Sequence, residues 1–186
     1  MTNLNQLPAD LPIPQDDGAA DHLVGMRLPS ISLNATTSSR FNLGESRGRM
    51  VIYCYPMTGR PNVSLPEGWD QIPGARGCTP QSCSFRDHYQ ELRALGADVV
   101  GLSVQSTEYQ KEMAERLHLP FPVLSDAGYQ LQQALRLPTF VAAGMTLLKR
   151  ITLIVNDGVI EAVHYPIFPS DSDPAWVMNY LKNNPA

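Results

Sequence analysis

The sequence contains few cysteines, and none of them stands in a C-x-x-C pair. Cys54, Cys78 and Cys83 are the three cysteines in 186 residues. An odd number this small does not build a disulfide framework, and the missing C-x-x-C pair argues against a zinc clasp and against a dithiol oxidoreductase. We therefore expect a reducing compartment, in which a special cysteine would serve thiol chemistry.

Runs of positive charge and long apolar segments are also missing. The formal net charge is −4 and no Lys/Arg run occurs, so we expect no nucleic-acid partner. The most apolar stretch, residues 140–155, is too short to span a membrane and carries Lys149 and Arg150, so we expect no membrane partner. Because the first basic residue is Arg27, a basic leader region is absent, and we expect a cytoplasmic protein.

The composition is that of one globular domain with an extension. Hydrophobic residues make up 43% and charged residues 17% of the chain, which is ordinary for a folded protein. Residues 1–27 hold Pro8, Pro12 and Pro14 among polar residues without periodicity, which predicts an irregular N-terminal arm that lies on the domain or stays mobile. We expect the domain itself to comprise residues 28–186.

Hydrophobic periodicity predicts an α/β domain with a central mixed sheet, flanking helices and an N-terminal β-hairpin. The first strands and helix form a β-α-β unit, which requires a parallel crossover, and the last strands close the sheet antiparallel. A long loop, residues 57–77, follows the first central strand, and loops of this length are usually functional. The predicted elements are a hairpin (31–43), strands (50–55, 97–104, 147–155 and 159–164) and helices (79–96, 107–117, 126–137 and from 173).

Cys78 stands at the predicted start of a helix. Thr79 is a plausible N-cap, Pro80 suits the first helical position and Gly96 suits the end. A cysteine attacks as the thiolate, and the unpaired N–H groups and dipole at a helix N-terminus favour that anion. Cys78 is therefore our candidate nucleophile.

Cys83 is a second thiol five residues further along the same helix. On an intact helix this separation is roughly 8.6 Å between Cα atoms, whereas a disulfide requires about 6.8 Å or less. If the two cysteines react with each other, the first helical turn must unwind, at a helix end where local opening costs little.

Three segments resemble a peroxiredoxin of the Q type, the bacterioferritin comigratory protein group. They are the strand 51–56, the segment 77–87 containing G-C-T-P-Q-S-C, and R-I-T-L-I-V at 150–155 followed by N-D-G. The resemblance implies a thioredoxin fold and a thiol-dependent peroxidase that reduces hydrogen peroxide and organic hydroperoxides. It also implies that thioredoxin or a similar dithiol protein recycles the enzyme, and that no metal or organic cofactor is needed.

The same resemblance implies roles for individual residues. Cys78 matches the peroxidatic cysteine, Cys83 the resolving cysteine that forms an intramolecular disulfide, and Arg150 the arginine beside the thiolate. Gln81 matches a position that carries Glu or Gln in the family and is expected to help bind the substrate. Arg150 shares a predicted strand face with Leu148, Thr152 and Ile154, so we expect its charge to meet an anion.

The sequence departs from the family pattern just before Cys78. The family places a proline seven residues and a hydroxyl residue three residues before the cysteine, where this chain has Gln71 and Ala75. Pro56 is the matching proline. We therefore expect Thr58 to bind substrate with the missing hydroxyl, with Ser64 as the second candidate.

Other interpretations of these residues remain open. Cys78, Cys83 and His88 could bind a metal, but a spacing of five and five scatters them around a helix. Cys54 lies mid-strand and is expected in the core. The alternative function is a thioredoxin-fold redox-sensing or binding module with weak or lost peroxidase activity. We expect a monomer or weak homodimer, and no special role for the three isolated histidines, His22, His118 and His164.

Overall fold

The computed structural model describes residues 3–185. Within this range the regular structure consists of one seven-stranded sheet, one separate two-stranded hairpin, five α-helices and three short 3-10 helices. The strands are β1 (Ser32–Ala35), β2 (Arg40–Asn42), β3 (Arg49–Cys54), β4 (Ala97–Ser103), β5 (Val123–Ser125), β6 (Thr139–Ala142), β7 (Met145–Leu148), β8 (Ile151–Asn156) and β9 (Val159–His164). The helices are α1 (Cys78–Asp87), α2 (Tyr89–Ala94), α3 (Thr107–Arg116), α4 (Gln130–Leu135) and α5 (Asp173–Asn183).

The large sheet is mixed, as the sequence predicted. Its strand order is β2-β1-β5-β4-β3-β8-β9, in which β3, β4 and β5 are parallel and the other pairings are antiparallel. All six residues of β3 are buried, which explains the continuous β-prone apolar run in this part of the sequence. Alternate β3 residues enter two hydrophobic clusters, one on each face of the sheet.

Helix α1 is held on β3 by aromatic contacts. The rings of Tyr53 and Phe85 stack with centroids 4.5 Å apart, and the Tyr53 hydroxyl donates to Ser82 Oγ at 3.1 Å. Because both partners of Tyr53 lie on α1, these contacts place the start of that helix at the carboxyl end of β3.

The helix predicted over 126–137 is shorter, Gln130–Leu135, and two other predicted elements are divided. The helix predicted from Thr79 to Gly96 begins at Cys78 and is interrupted at His88, so it forms α1 and α2. The strand predicted over 147–155 is divided, because β7 pairs only with β6 around the left-handed residues Ala143 and Gly144, while β8 enters the large sheet. Residues 149 and 150 connect these two strands.

The N-terminal arm lies against the domain. Residues 3–26 contain no helix or regular strand, yet Leu23 is fully buried in the core on one face of the sheet. Arg76 Nη2 donates to the carbonyl of Asn3 at 2.7 Å, and Lys149 forms an ion pair with Asp17. The boundary between arm and domain after residue 27 stays a prediction. Among the residues described, no helix is both long and apolar enough to cross a membrane.

Candidate active site

Helix α1 begins at Cys78 without a capping side chain. Its N-cap is Gly77, with φ +106°, and not Thr79 as predicted. A Cβ on Gly77 would lie 2.2 Å from Ser170 Oγ and 2.7 Å from Leu7 Cδ2, so side chains of the arm and of the turn before α5 approach the backbone here. Only glycine fits both this backbone conformation and this space.

Cys78 is a buried thiol in contact with a guanidinium group. Its side chain is 3% exposed. The Sγ atom accepts a hydrogen bond from Arg150 Nη2 at 3.3 Å and, as a thiol, can donate to the carbonyl of Ala75 at 3.6 Å. A guanidinium charge and a helix N-terminus therefore meet at this sulfur, and both interact favourably with negative charge.

Arg150 is also 3% exposed, and its position differs from the prediction. It lies in the connection between β7 and β8 instead of sharing a strand face with Leu148, because the β6–β7 hairpin leaves the large sheet at this point. Its Nη2 donates to the carbonyls of Ala75 and Arg76 at 3.1 Å each, in addition to Cys78. Four acceptors, with Gln81 Oε1 as the fourth, therefore fix the planar guanidinium.

Gln81 is fully buried and links Arg150 to the carboxylate of Asp173, which the sequence does not predict as a site residue. Its Oε1 accepts from Arg150 Nη1 and its Nε2 donates to Asp173 Oδ2 at 2.7 Å. The Asp173 carboxylate also accepts from Thr152 Oγ1 at 2.7 Å and bonds His164 Nδ1 at 2.8 Å. The sequence predicts Asp173 only as the start of a helix and gives His164 no special role. The β8–β9 hairpin sets His164 opposite Thr152, but no short-range pattern relates either residue to Asp173 on α5.

Cys83 lies half-buried on α1 and is not bonded to Cys78. Both cysteines are free thiols. Burial raises the pKa of the Cys83 thiol, an effect that the positive charges of Arg86 and Arg116 oppose. Cys54 is fully buried in β3, and burial raises the pKa of its thiol far above the ordinary range. The protonated, unreactive form is therefore favoured at Cys54.

The two candidate hydroxyl residues occupy different places. Thr58 is buried and lines a small cavity that also contacts Cys78 and Leu4, whereas Ser64 is exposed in a surface depression beside Arg60. The Thr58 backbone N–H and hydroxyl both donate to Gln105 Oε1, at 2.9 and 3.2 Å. Thr58 is thus the candidate that shares a cavity with Cys78.

Within residues 3–185, no three His, Cys, Asp or Glu side chains are grouped to hold a metal ion. His88, the third residue of the metal interpretation, bonds instead through Nδ1 to the carbonyl of Ser84 at 2.9 Å.

Comparison with known proteins places the chain in one sequence family. A model of the redoxin family matches residues 23–178. A chloroplast peroxiredoxin Q of Sedum lineare is 35% identical over 130 residues, which cover 69% of this chain and 67% of that relative. Peroxiredoxin Bcp of Escherichia coli is 29% identical over 161 residues, covering 84% of this chain and 93% of that relative. The crystal structure of the peroxidoxin BcpB of Mycobacterium tuberculosis matches with a TM-score of 0.72 at 23% identity, covering 89% of this chain and 100% of that chain.

Proposed function

This chain belongs to the redoxin family, as a peroxiredoxin of the Q type, and we propose that Cys78 is its peroxidatic cysteine and Cys83 its resolving cysteine. The predicted thioredoxin fold and family are confirmed, and the protein is a thiol-dependent peroxidase. The alternative, a binding module with a decayed site, is not favoured, because the guanidinium contact on Cys78 is intact. That contact is the observation that carries the proposal.

In the first step the Cys78 thiolate attacks the terminal oxygen of a hydroperoxide. A sulfur–oxygen bond forms, the oxygen–oxygen bond breaks, and the sulfenic acid of Cys78 and an alkoxide or hydroxide result. The leaving oxygen takes up a proton. Arg150 is positioned to stabilise the negative charge that develops on the peroxide oxygens, since its Nη2 already contacts the attacking sulfur.

In the second step the Cys83 sulfur attacks the Cys78 sulfenic acid. A disulfide forms and water leaves. Both residues lie within α1, so they are separated by roughly 8.6 Å while the helix is wound, which exceeds the reach of a disulfide. The start of α1 must therefore unwind, and unwinding also removes the burial that raises the pKa of Cys83.

A dithiol protein then reduces the disulfide and returns two electrons to the enzyme. We expect thioredoxin or a similar protein in this role, hydrogen peroxide and organic hydroperoxides as substrates, and a cytoplasmic monomer or weak homodimer. Thr58 is expected to supply the hydroxyl that Ala75 cannot, because a hydroxyl donates to one oxygen and accepts from another group at once. Gln81 takes part in substrate binding by holding Arg150.

The experiment that tests the proposal identifies the first oxidised sulfur. A Cys83→Ser protein receives one equivalent of hydrogen peroxide in the presence of a sulfenic-acid trap, and mass spectrometry locates the label, which we expect at Cys78. Labelling mainly at Cys54 would refute the assignment. A matched Cys54→Ala protein should consume peroxide at the parent rate, whereas Cys78→Ser should not consume it.

A further inference from the structure

The buried amide of Gln81 has a defined orientation in the active site. Its oxygen faces Arg150 and its nitrogen faces Asp173. Either orientation of a glutamine amide has the same shape, so only its hydrogen-bond partners decide between them. Arg150 is a donor without acceptor capacity, and it therefore requires the oxygen.

Asp173, the second partner of the Gln81 amide, requires the same amide orientation as Arg150 does. Asp173 is fully buried in the first turn of α5, where the helix N-terminus favours negative charge. Its oxygens lie at 2.7–2.8 Å from Gln81 Nε2, Thr152 Oγ1 and His164 Nδ1. Its Oδ2 accepts from both Gln81 Nε2 and Thr152 Oγ1, so this oxygen requires a donor at the position of the Gln81 amide nitrogen.

A glutamate in place of Gln81 would give a different site. It would set two carboxylates within the 2.7 Å that now separates Gln81 Nε2 from Asp173 Oδ2. It would also place a full negative charge on Arg150, which now meets only neutral oxygens besides the Cys78 sulfur. The neutral amide leaves the positive charge of Arg150 for the thiolate and the peroxide.

We propose that Asp173 is a positioning residue of the peroxidase site, which orients the Gln81 amide so that its oxygen holds Arg150 against Cys78. This role rests on the proposed chemistry of Cys78 and extends it to a carboxylate that does not touch substrate. The carboxylate is in turn held by His164, whose ring stacks on Trp176 with centroids 4.4 Å apart. The supporting chain therefore runs from α5 and β9, through Asp173 and Gln81, to the guanidinium group.

Exchanging the charges of the two residues tests this role. Gln81→Glu alone should slow oxidation of Cys78 by hydrogen peroxide about tenfold or more, because two carboxylates then face each other. Adding Asp173→Asn should restore the rate to within about threefold of the parent, since the asparagine amide donates to the introduced glutamate. Thr152 can then turn its hydroxyl to accept. In the parent background, Asp173→Asn should not raise the rate.

The matched control is Gln81→Glu combined with Thr152→Val, which removes another donor to Asp173 and should give no rescue. If the Asn protein does not fold, Asp173→Ala removes the same carboxylate and should give partial rescue. Failure of both Asp173 substitutions to improve a folded Gln81→Glu protein would overturn the proposal.

A second readout separates this role from the peroxidase assignment. The pH dependence of Cys78 alkylation by iodoacetamide reports the thiolate in a Cys83→Ser background and requires no peroxide. Its midpoint should move to higher pH in the Gln81→Glu protein and return in the double variant. If the parent consumed no peroxide but the midpoints moved in this way, the proposed function would fail and the positioning role of Asp173 would stand. Unchanged midpoints would count against that role.

Discussion

Replacing Arg150 with lysine is expected to slow peroxide reduction strongly while keeping the positive charge. The guanidinium group donates to four acceptors, the Cys78 sulfur among them. Lysine offers three donors from a single nitrogen and cannot reproduce the planar arrangement. The loss of one charge-assisted hydrogen bond to Cys78 costs about 1.5–3 kcal/mol, which corresponds to a rate decrease of about 10- to 150-fold.

The same substitution should lower stability. The carbonyls of Ala75 and Arg76 are buried, and a carbonyl that loses its donor costs about 1–3 kcal/mol. The thermal unfolding of the Arg150→Lys protein should therefore be measured together with its kinetics, to show that the enzyme is folded at the temperature of the rate measurement. Arg40→Lys is the matched control, because Arg40 is exposed on β2 and, among the residues described, its side chain bonds to Ser32 alone.

Stopped-flow fluorescence with hydrogen peroxide measures the effect directly, in single turnovers that exclude the reductant step. We expect the second-order rate of Cys78 oxidation to fall in Arg150→Lys and to remain unchanged in Arg40→Lys. A folded Arg150→Lys enzyme whose rate of Cys78 oxidation is within about threefold of the parent rate would refute the role of the planar guanidinium group. A positive charge alone would then be enough for the reaction.

Three further measurements test other parts of the site. Thr58→Val should slow peroxide reduction and Ser64→Ala should not, because Thr58, unlike Ser64, lines the cavity at Cys78. The opposite ranking would identify Ser64. Hydrogen exchange over residues 78–86 should be faster in the disulfide form than in the reduced form, and equal protection with a proven disulfide would exclude unwinding. The hydrogen bonds from Lys149 and Tyr165 lower the pKa of Asp17 from 3.8 to about 2, so these bonds stabilise the folded protein above about pH 3.8, and the stabilisation is lost as the pH falls through about 2. Carboxyl NMR of a Lys149→Gln protein should show a higher pKa for Asp17. An unchanged pKa would show that the ion pair does not form.

Strong local patterns in the sequence predicted much of the fold correctly. The apolar run of β3, the Asn-Asp-Gly turn between β8 and β9, and the helix that begins at Asp173 all have short-range signals, and all three are present. The placement of Cys78 at a helix start depended on such a signal as well.

Features set by long-range packing were not predictable in the same way. A hairpin with strict register around residues 157 and 158 would pair Thr152 with Val163. A bulge between Ile154 and Val155 shifts the register by one residue and sets His164 opposite Thr152. A shift of one residue exchanges the two faces of a strand, so the contact between His164 and the buried carboxylate has no signal in the alternation pattern.

The bare N-terminus of α1 links the chemistry of Cys78 to the stability of its own helix. The first turn of α1 has no side-chain cap and no acidic residue, so an ionised Cys78 is itself the negative charge that meets the N–H groups left without an intrahelical partner there. Oxidation to the neutral sulfenic acid withdraws this charge, which is worth about 0.3–1 kcal/mol at a helix end. In the proposed mechanism, the reaction with peroxide thus weakens the first turn at the moment when Cys83 must reach the oxidised sulfur.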